Sequence, residues 1–200
     1  LGINLEEIVE SRILPSHLRQ KDKDDKLGIL DVRVLLNNKE QIDIEIQVTS
    51  SEYWVERTLF YLGKMFVDQL KPGEDYQKLE KCIHVGILNF TLFDDEEYYS
   101  RFHFWSDQGR KMYSDKFEIH TLELPKLAKH EYPETELLKW LQFINAETKE
   151  EFEMAAEKSE YIKKAYEDLN RISADEEKRL EYEARERAIR DHQYFSTVYK

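Results

Sequence analysis

The stretch Leu30-Asp31-Val32-Arg33-Val34-Leu35-Leu36-Asn37-Asn38-Lys39-Glu40-Gln41-Ile42-Asp43-Ile44-Glu45-Ile46-Gln47-Val48 reads as two strands, Ile29–Leu36 and Gln41–Val48, joined by a polar turn. In the second strand Ile42, Ile44, Ile46 and Val48 alternate with Asp43, Glu45 and Gln47, the period of two expected of a strand with unlike faces. Asn at the connection tolerates positive φ and favours a tight turn. Loop length then sets the register. A two-residue loop of Asn38 and Lys39 makes Val32 face Glu45 and Asp31 face Ile46, charge against apolar side chain on both faces. An odd loop centred on Asn38 instead pairs Asp31 with Glu45, Val32 with Ile44 and Val34 with Ile42. One face is then wholly apolar, and the other gathers Asp31, Arg33, Asp43, Glu45 and Gln47. Because a slip of one residue reverses every side chain, the sequence predicts the second pairing, through a three- or five-residue connection or an equivalent bulge.

Opposed in this way, Asp31 and Glu45 would have Cβ atoms roughly 5 Å apart. Like charges at that range need a neutraliser. A divalent cation supplies one, and an oxygen-rich pair favours Mg²⁺ or Mn²⁺. On the pattern alone two plainer readings stay open: a solvated hairpin face, or acids neutralised by Arg33 and Arg57.

Working outward, Thr49-Ser50-Ser51-Glu52 fits a capping box and predicts a helix from Glu52 to Leu70, stopped by Pro72-Gly73. Val55, Leu59, Leu62, Phe66 and Leu70 form its expected core stripe, and Tyr53, Arg57 and Tyr61 a second stripe at i, i+4 spacing. Ile83–Phe93, Tyr98–Trp105 and Lys116–Leu124 read as three more strands, with a turn at Ser106–Gly109. Residues 4–20 read as a short helix followed by irregular chain. Five strands with one long helix after the second indicate an α/β (α+β) domain, a mixed sheet flanked by helices. A helix over Glu134–Asn145 closes it, giving a domain of residues 1–145. From Glu147 onward the chain is rich in Glu, Ala, Lys and Arg and lacks Gly and Pro. Phe152, Ala155, Ser159, Ile162, Tyr166 and Leu169 mark one amphipathic helix, and Ser173-Ala174-Asp175-Glu176 a second capping box. Residues 146–200 therefore read as a charged helical hairpin suited to packing or self-association.

The chain carries 30 basic and 42 acidic side chains, a formal net charge of -12 over 200 residues. Such acidity opposes broad nonspecific attraction to a phosphate backbone, so any nucleic-acid site must rest on local cations and bound metal. No apolar run is long enough to span a membrane. The single cysteine, Cys82, lies in an apolar stretch and reads as a buried thiol of a cytoplasmic protein. Six histidines show no ligand spacing, and His84 reads as structural. Trp54, Trp105 and Trp140 read as core or interface residues. The first residues, Leu1-Gly2-Ile3-Asn4-Leu5, enter as if within an apolar segment, so the natural start is expected upstream.

Leu30-Asp31-Val32-Arg33 followed by Ile42-Asp43-Ile44-Glu45-Ile46-Gln47 resembles the PD-(D/E)XK nuclease family transposases, a family of recombination-promoting nucleases. Arg57-Thr58-Leu59-Phe60-Tyr61, Gly73-Glu74-Asp75-Tyr76 and Ser173-Ala174-Asp175-Glu176 resemble further text of that family, so the similarity covers nearly the whole chain. The resemblance implies a restriction-endonuclease-like core and an Mg²⁺-dependent DNA endonuclease linked to recombination or a mobile element. It makes Asp31 the motif aspartate, Glu45 the glutamate and Gln47 the occupant of the usual lysine position. It further implies a cation held by Asp31, Glu45 and the Ile46 carbonyl, a water oriented by Gln47, and a phosphate contact from Arg57 supported by Tyr61. An added acid from an N-terminal helix belongs to such sites, with Glu6, Glu7, Glu10 or an upstream residue as candidates. Gln47 departs from the D…(D/E)-x-K pattern, since an amide carries no charge and is no base. Two alternatives stand beside the endonuclease: a nonenzymatic binding or assembly module on a nuclease fold, and a nuclease acting on RNA.

Overall fold

A computed structural model describes residues 11–14, 32–36 and 38–174, with backbone alone at 11–14 and 172–174. The described strands are β1 (Ser11–Leu14), β2 (Val32–Leu36), β3 (Gln41–Gln47), β4 (Cys82–Leu88), β5 (Tyr99–Trp105) and β6 (Met112–Glu123). The helices are α1 (Trp54–Val67), α2 (Glu136–Ile144), α3 (Lys149–Ala156) and α4 (Glu160–Ala174), with short 3-10 turns at Tyr76–Lys78 and Leu124–Lys126. The sheet order is β1-β2-β3-β4-β6-β5. β3, β4 and β6 are mutually parallel, while β1, β2 and β5 join antiparallel. This is the mixed sheet flanked by helices of a restriction-endonuclease-like fold, with a helical C-terminal extension. It has one more strand than the sequence predicts, because Ser11–Leu14 pairs with β2 where irregular chain was expected.

The β2–β3 hairpin adopts the predicted register. Val32 pairs with Ile44, Arg33 with Asp43 and Val34 with Ile42. Leu36 N–H donates to the Glu40 carbonyl at 2.9 Å, so three residues make the connection. The left-handed conformation falls on Lys39 (φ 67°) rather than on Asn38. The Asn38 side chain instead accepts from the Glu40 amide at 3.2 Å, holding the turn through its carbonyl oxygen.

The two faces differ from expectation in depth. The polar face is the covered one, because α1 lies on it. The apolar face is buried at Ile42 yet leaves Val32 39% and Ile46 49% exposed. α1 starts two residues later than its capping box suggests, with Tyr53 at the N-cap and no side-chain cap. Burial of Trp54 sets that first turn. A Cβ at Gly86 would meet Trp54 Cζ2 at 2.7 Å, so the ring sits on a bare patch of β4. The buried stripe of α1 is accordingly Trp54, Thr58, Leu62 and Met65, while Val55 and Leu59, expected inside, are exposed. Leu62 and Met65 pack on Cys82, whose thiol burial pushes up to about 12. The thiol is buried, as expected. All seven residues of β4 are buried, as befits a central parallel strand covered on both sides.

The chain divides into two compact units, 1–131 and 132–200. In the second, Phe143 packs edge-on to Phe152, which stacks on Tyr166 with ring centroids 6.0 Å apart. The predicted single tail helix is two. α3 has a full capping box of Thr148 and Glu151 and ends at Ala156, and α4 opens where Lys163 N–H donates to the Ser159 carbonyl at 2.9 Å. Ser173 and Ala174 lie within α4, and the rest of the second capping box and of the predicted hairpin lies outside the described residues. Among the described residues no helix is long and apolar enough to cross a membrane.

Candidate metal centre

The period-two pattern of β3 puts Asp43, Glu45 and Gln47 on the face that α1 covers. Parallel pairing across the α1 crossover sets His84 beside Asp43 and Gly86 beside Glu45. His84 Nδ1 lies 2.8 Å from Asp43 Oδ2, and Thr58 Oγ1 from α1 is 3.5 Å from His84 Nε2. Donor atoms of Asp43, Glu45 and His84 all lie within 4.8 Å of one another, and all three residues are buried. Buried acids so close require cations or donors.

Arg57 supplies one cation. Its Nη2 pairs with Glu45 and donates to Gln47 Oε1 at 2.7 Å, while the guanidinium lies 5.0 Å from the centroid of the Trp54 ring. That side chain is 31% exposed, so it stands between the buried acids and solvent. Gln47 Nε2 donates to the Thr49 carbonyl at 2.8 Å, which fixes the amide with its oxygen towards Arg57. Tyr61, one helical turn beyond Arg57, is half-buried. Burial raises its phenol pKa; the nearby Arg57 charge opposes that shift, and Glu45 and Asp43 add to it. Arg33 lies across from Asp43 and donates to Gln41; desolvation lowers its pKa.

The site still lacks donors. Asp43 Oδ1 is buried with no hydrogen-bond partner among the described residues, as is Arg57 Nε. An acidic oxygen so placed, beside a second carboxylate and an imidazole, fits a divalent cation: carboxylates suit Mg²⁺ and Mn²⁺, and imidazole suits transition metals. The donor set is therefore compatible with the implied metal.

Of the residues expected to act, Glu45, Gln47, Arg57 and Tyr61 meet in this region. Asp31, Glu6, Glu7 and Glu10 lie outside the described residues. Ile46 pairs with Ile87 in the parallel ladder, and its side chain turns to the opposite face. Sequence reasoning placed Asp43 on the polar face without a role and set His84 aside as structural. Local ligand spacing could not reveal this pair, because its members lie 41 positions apart. The available signal was a polar residue in each of two strands flanking one helix, a βαβ unit that aligns them side by side.

The sequence model of the PD-(D/E)XK nuclease family transposases matches residues 1–197. No curated protein and no solved structure matches the chain.

Proposed function

The chain belongs to the PD-(D/E)XK nuclease family transposases, and from this premise we propose a divalent-cation-dependent DNA endonuclease that hydrolyses phosphodiester bonds at the α1 face of the sheet. The observation that carries this reading is the meeting of Asp43, Glu45 and His84 donors in one buried place beneath a half-exposed arginine. The sequence pattern pairs Asp31, which lies outside the described residues, with Glu45. Asp31, Glu45 and the Ile46 carbonyl would hold Mg²⁺, or Mn²⁺ in its place, with Asp43 and His84 as further donors. When bound, the cation lowers the pKa of a water and stabilises charge on the scissile phosphate.

The chain's own groups do the rest. Arg57 is planar and multidentate, so one edge can stay on Gln47 while another donates to a nonbridging phosphate oxygen. Gln47, already fixed by Thr49 and Arg57, orients the attacking water with its amide and takes no proton. Tyr61 limits the travel of Arg57 along the helix face. Trp54 excludes water beneath the guanidinium and strengthens its pairing with the acids.

The test is cleavage of plasmid and short duplex DNA with Mg²⁺, with Mn²⁺ and with chelator, by the wild type, Asp31→Ala and Glu45→Ala. Metal-dependent nicking that falls about a thousandfold in each variant is expected, the loss of several kcal/mol of transition-state stabilisation. Cleavage that survives chelation, or is unchanged in both variants, contradicts the reading. A parallel RNA substrate decides between nucleic acids. Gln47 at the lysine position and the net charge of -12 favour one other reading, a noncatalytic binding module on the same fold. It predicts binding without turnover under every metal condition.

A further inference from the structure

We propose that the tip of the β5–β6 hairpin docks single-stranded nucleic acid, an inference that rests on the substrate of the preceding reading being a nucleic acid. β5 is an edge strand of the sheet. Phe104 and Trp105 at its end are each 50% exposed, and Met112 and Tyr113 at the start of β6 are 45% and 89% exposed. Large apolar side chains gathered this way on one hairpin mark a contact surface rather than scattered surface apolarity.

Charge indicates the occupant. The tip, residues 105–113, carries Arg110 and Lys111 against Asp107, a local excess of one positive charge in a chain with net charge -12. Arg101 is held by Glu118 and Lys116 by Glu80. Arg110 and Lys111 are exposed and have no carboxylate partner among the described residues. The tip is also built in advance. Ser106 N–H donates to the Lys111 carbonyl at 2.9 Å, Lys111 N–H to Ser106 Oγ at 3.0 Å, and Ser106 Oγ to the Gln108 carbonyl at 2.8 Å. Gly109 (φ 78°) and Arg110 (φ 46°) both take left-handed backbone to close the turn. A non-glycine residue in that region carries a conformational cost, and here it sets a cation at the end of the hairpin.

Unpaired cations beside solvent-facing rings suit a polyanion whose bases are free to stack. In duplex DNA the base faces are already stacked, so the rings gain little there.

The experiment is fluorescence anisotropy of a labelled oligothymidylate and a matched-length duplex with full-length protein in EDTA, over a salt series. The wild type should bind the single strand more tightly. Trp105→Ala/Tyr113→Ala should weaken single-strand binding by about 5- to 150-fold per base stack lost, with little change for duplex. Arg110→Glu/Lys111→Glu should weaken binding to both and flatten the salt dependence by about one counterion per cation removed. Matching melting temperatures for the wild type and both variants exclude misfolding. Affinities unchanged in both double variants overturn the proposal, as does an oligomer that the aromatic variant dissolves while DNA affinity stays fixed. If the wild type binds and cleaves in a Glu45-dependent way while the hairpin variants are neutral, only the hairpin proposal falls. If the wild type binds neither DNA nor RNA, the nuclease reading falls with it.

Discussion

Glu45 and Glu118 are buried in the same sheet on opposite faces, and they are surrounded differently. Glu118 accepts from Arg101 Nε and His120 Nε2 at 2.7 Å and from Lys81 Nζ and His103 Nε2 at 3.2 Å. Tyr99 closes the network with a 2.8 Å bond to His120 Nδ1. Burial would raise the Glu118 pKa, but hydrogen bonds from Arg101, Lys81 and His120 outweigh it and bring the carboxyl down to about 2. Burial takes His120 down to about 4, against the opposing pull of Glu118. On the α1 face Glu45 pairs with Arg57 and Asp43 with His84, and Asp43 Oδ1 has no hydrogen-bond partner among the described residues. The presence of buried acids and histidines does not separate scaffold from site; a buried acid oxygen left without a donor does. Four donors on one acid close a network. A buried Asp43 oxygen without a hydrogen-bond partner leaves room for a cation from outside.

This contrast can be broken on either side. The largest effect is expected from removing the hub of the closed network. Glu118→Ala leaves several cations and imidazoles facing an empty acceptor position, which should lower unfolding free energy by roughly 3 kcal/mol or more. Urea denaturation reads that loss, and Glu45-dependent cleavage per folded molecule should stay at the wild-type level. A cleavage defect in folded Glu118→Ala would make the second face part of the chemistry and erase the distinction.

A smaller effect is expected at the other histidine. His84→Ala removes a donor from beside Asp43, and losses of this kind cost about 10- to 100-fold in metal affinity or activity. Cleavage per folded molecule, titrated against Mn²⁺, should shift to higher metal concentration. An unshifted titration would return His84 to a structural role.

A further effect is a pH dependence at the Glu118 face. His120 has a folded pKa of about 4 against an ordinary 6.5, so the unfolded chain binds the proton first. Its contribution to stability is present above the ordinary value and is lost as pH falls towards about 4. Glu118, held at about 2 against 4.5, contributes above its ordinary value and loses that contribution as pH falls towards about 2. Melting temperature should therefore drop on acidification in two overlapping stages. Glu118→Gln should remove the lower stage. A flat profile from neutral pH downward would contradict the pairing.

The hairpin register was legible in the sequence because alternation in both strands leaves one pairing that unites the apolar side chains, and that pairing requires an odd loop. Glu45, Gln47, Arg57 and Tyr61 followed, since β3 and α1 are neighbours in sequence and helical spacing puts Arg57 and Tyr61 on one side. Non-local partners were not legible. His84 reaches Asp43 only because β4 returns parallel to β3, and a strand reading alone does not supply that pairing. Competing local signals also misled. Thr49–Glu52 has the composition of a capping box, yet burial of Trp54 over Gly86 moves the helix start to Trp54. Val55 and Leu59 have the right period for a core stripe, but the stripe that reaches the sheet includes Thr58, because the sheet offers it a histidine. The Lys158–Ser159 break has neither Gly nor Pro to announce it.

Binding of a divalent cation at the α1 face is the property that separates the two faces most directly. Isothermal titration of full-length protein with Mn²⁺, for the wild type, Glu45→Ala and Glu118→Gln, measures this without requiring turnover. Saturable binding is expected for the wild type, with its loss in Glu45→Ala and its retention in Glu118→Gln. Absence of saturable binding in the wild type, or equal binding in wild type and Glu45→Ala, would contradict a cation site on the α1 face.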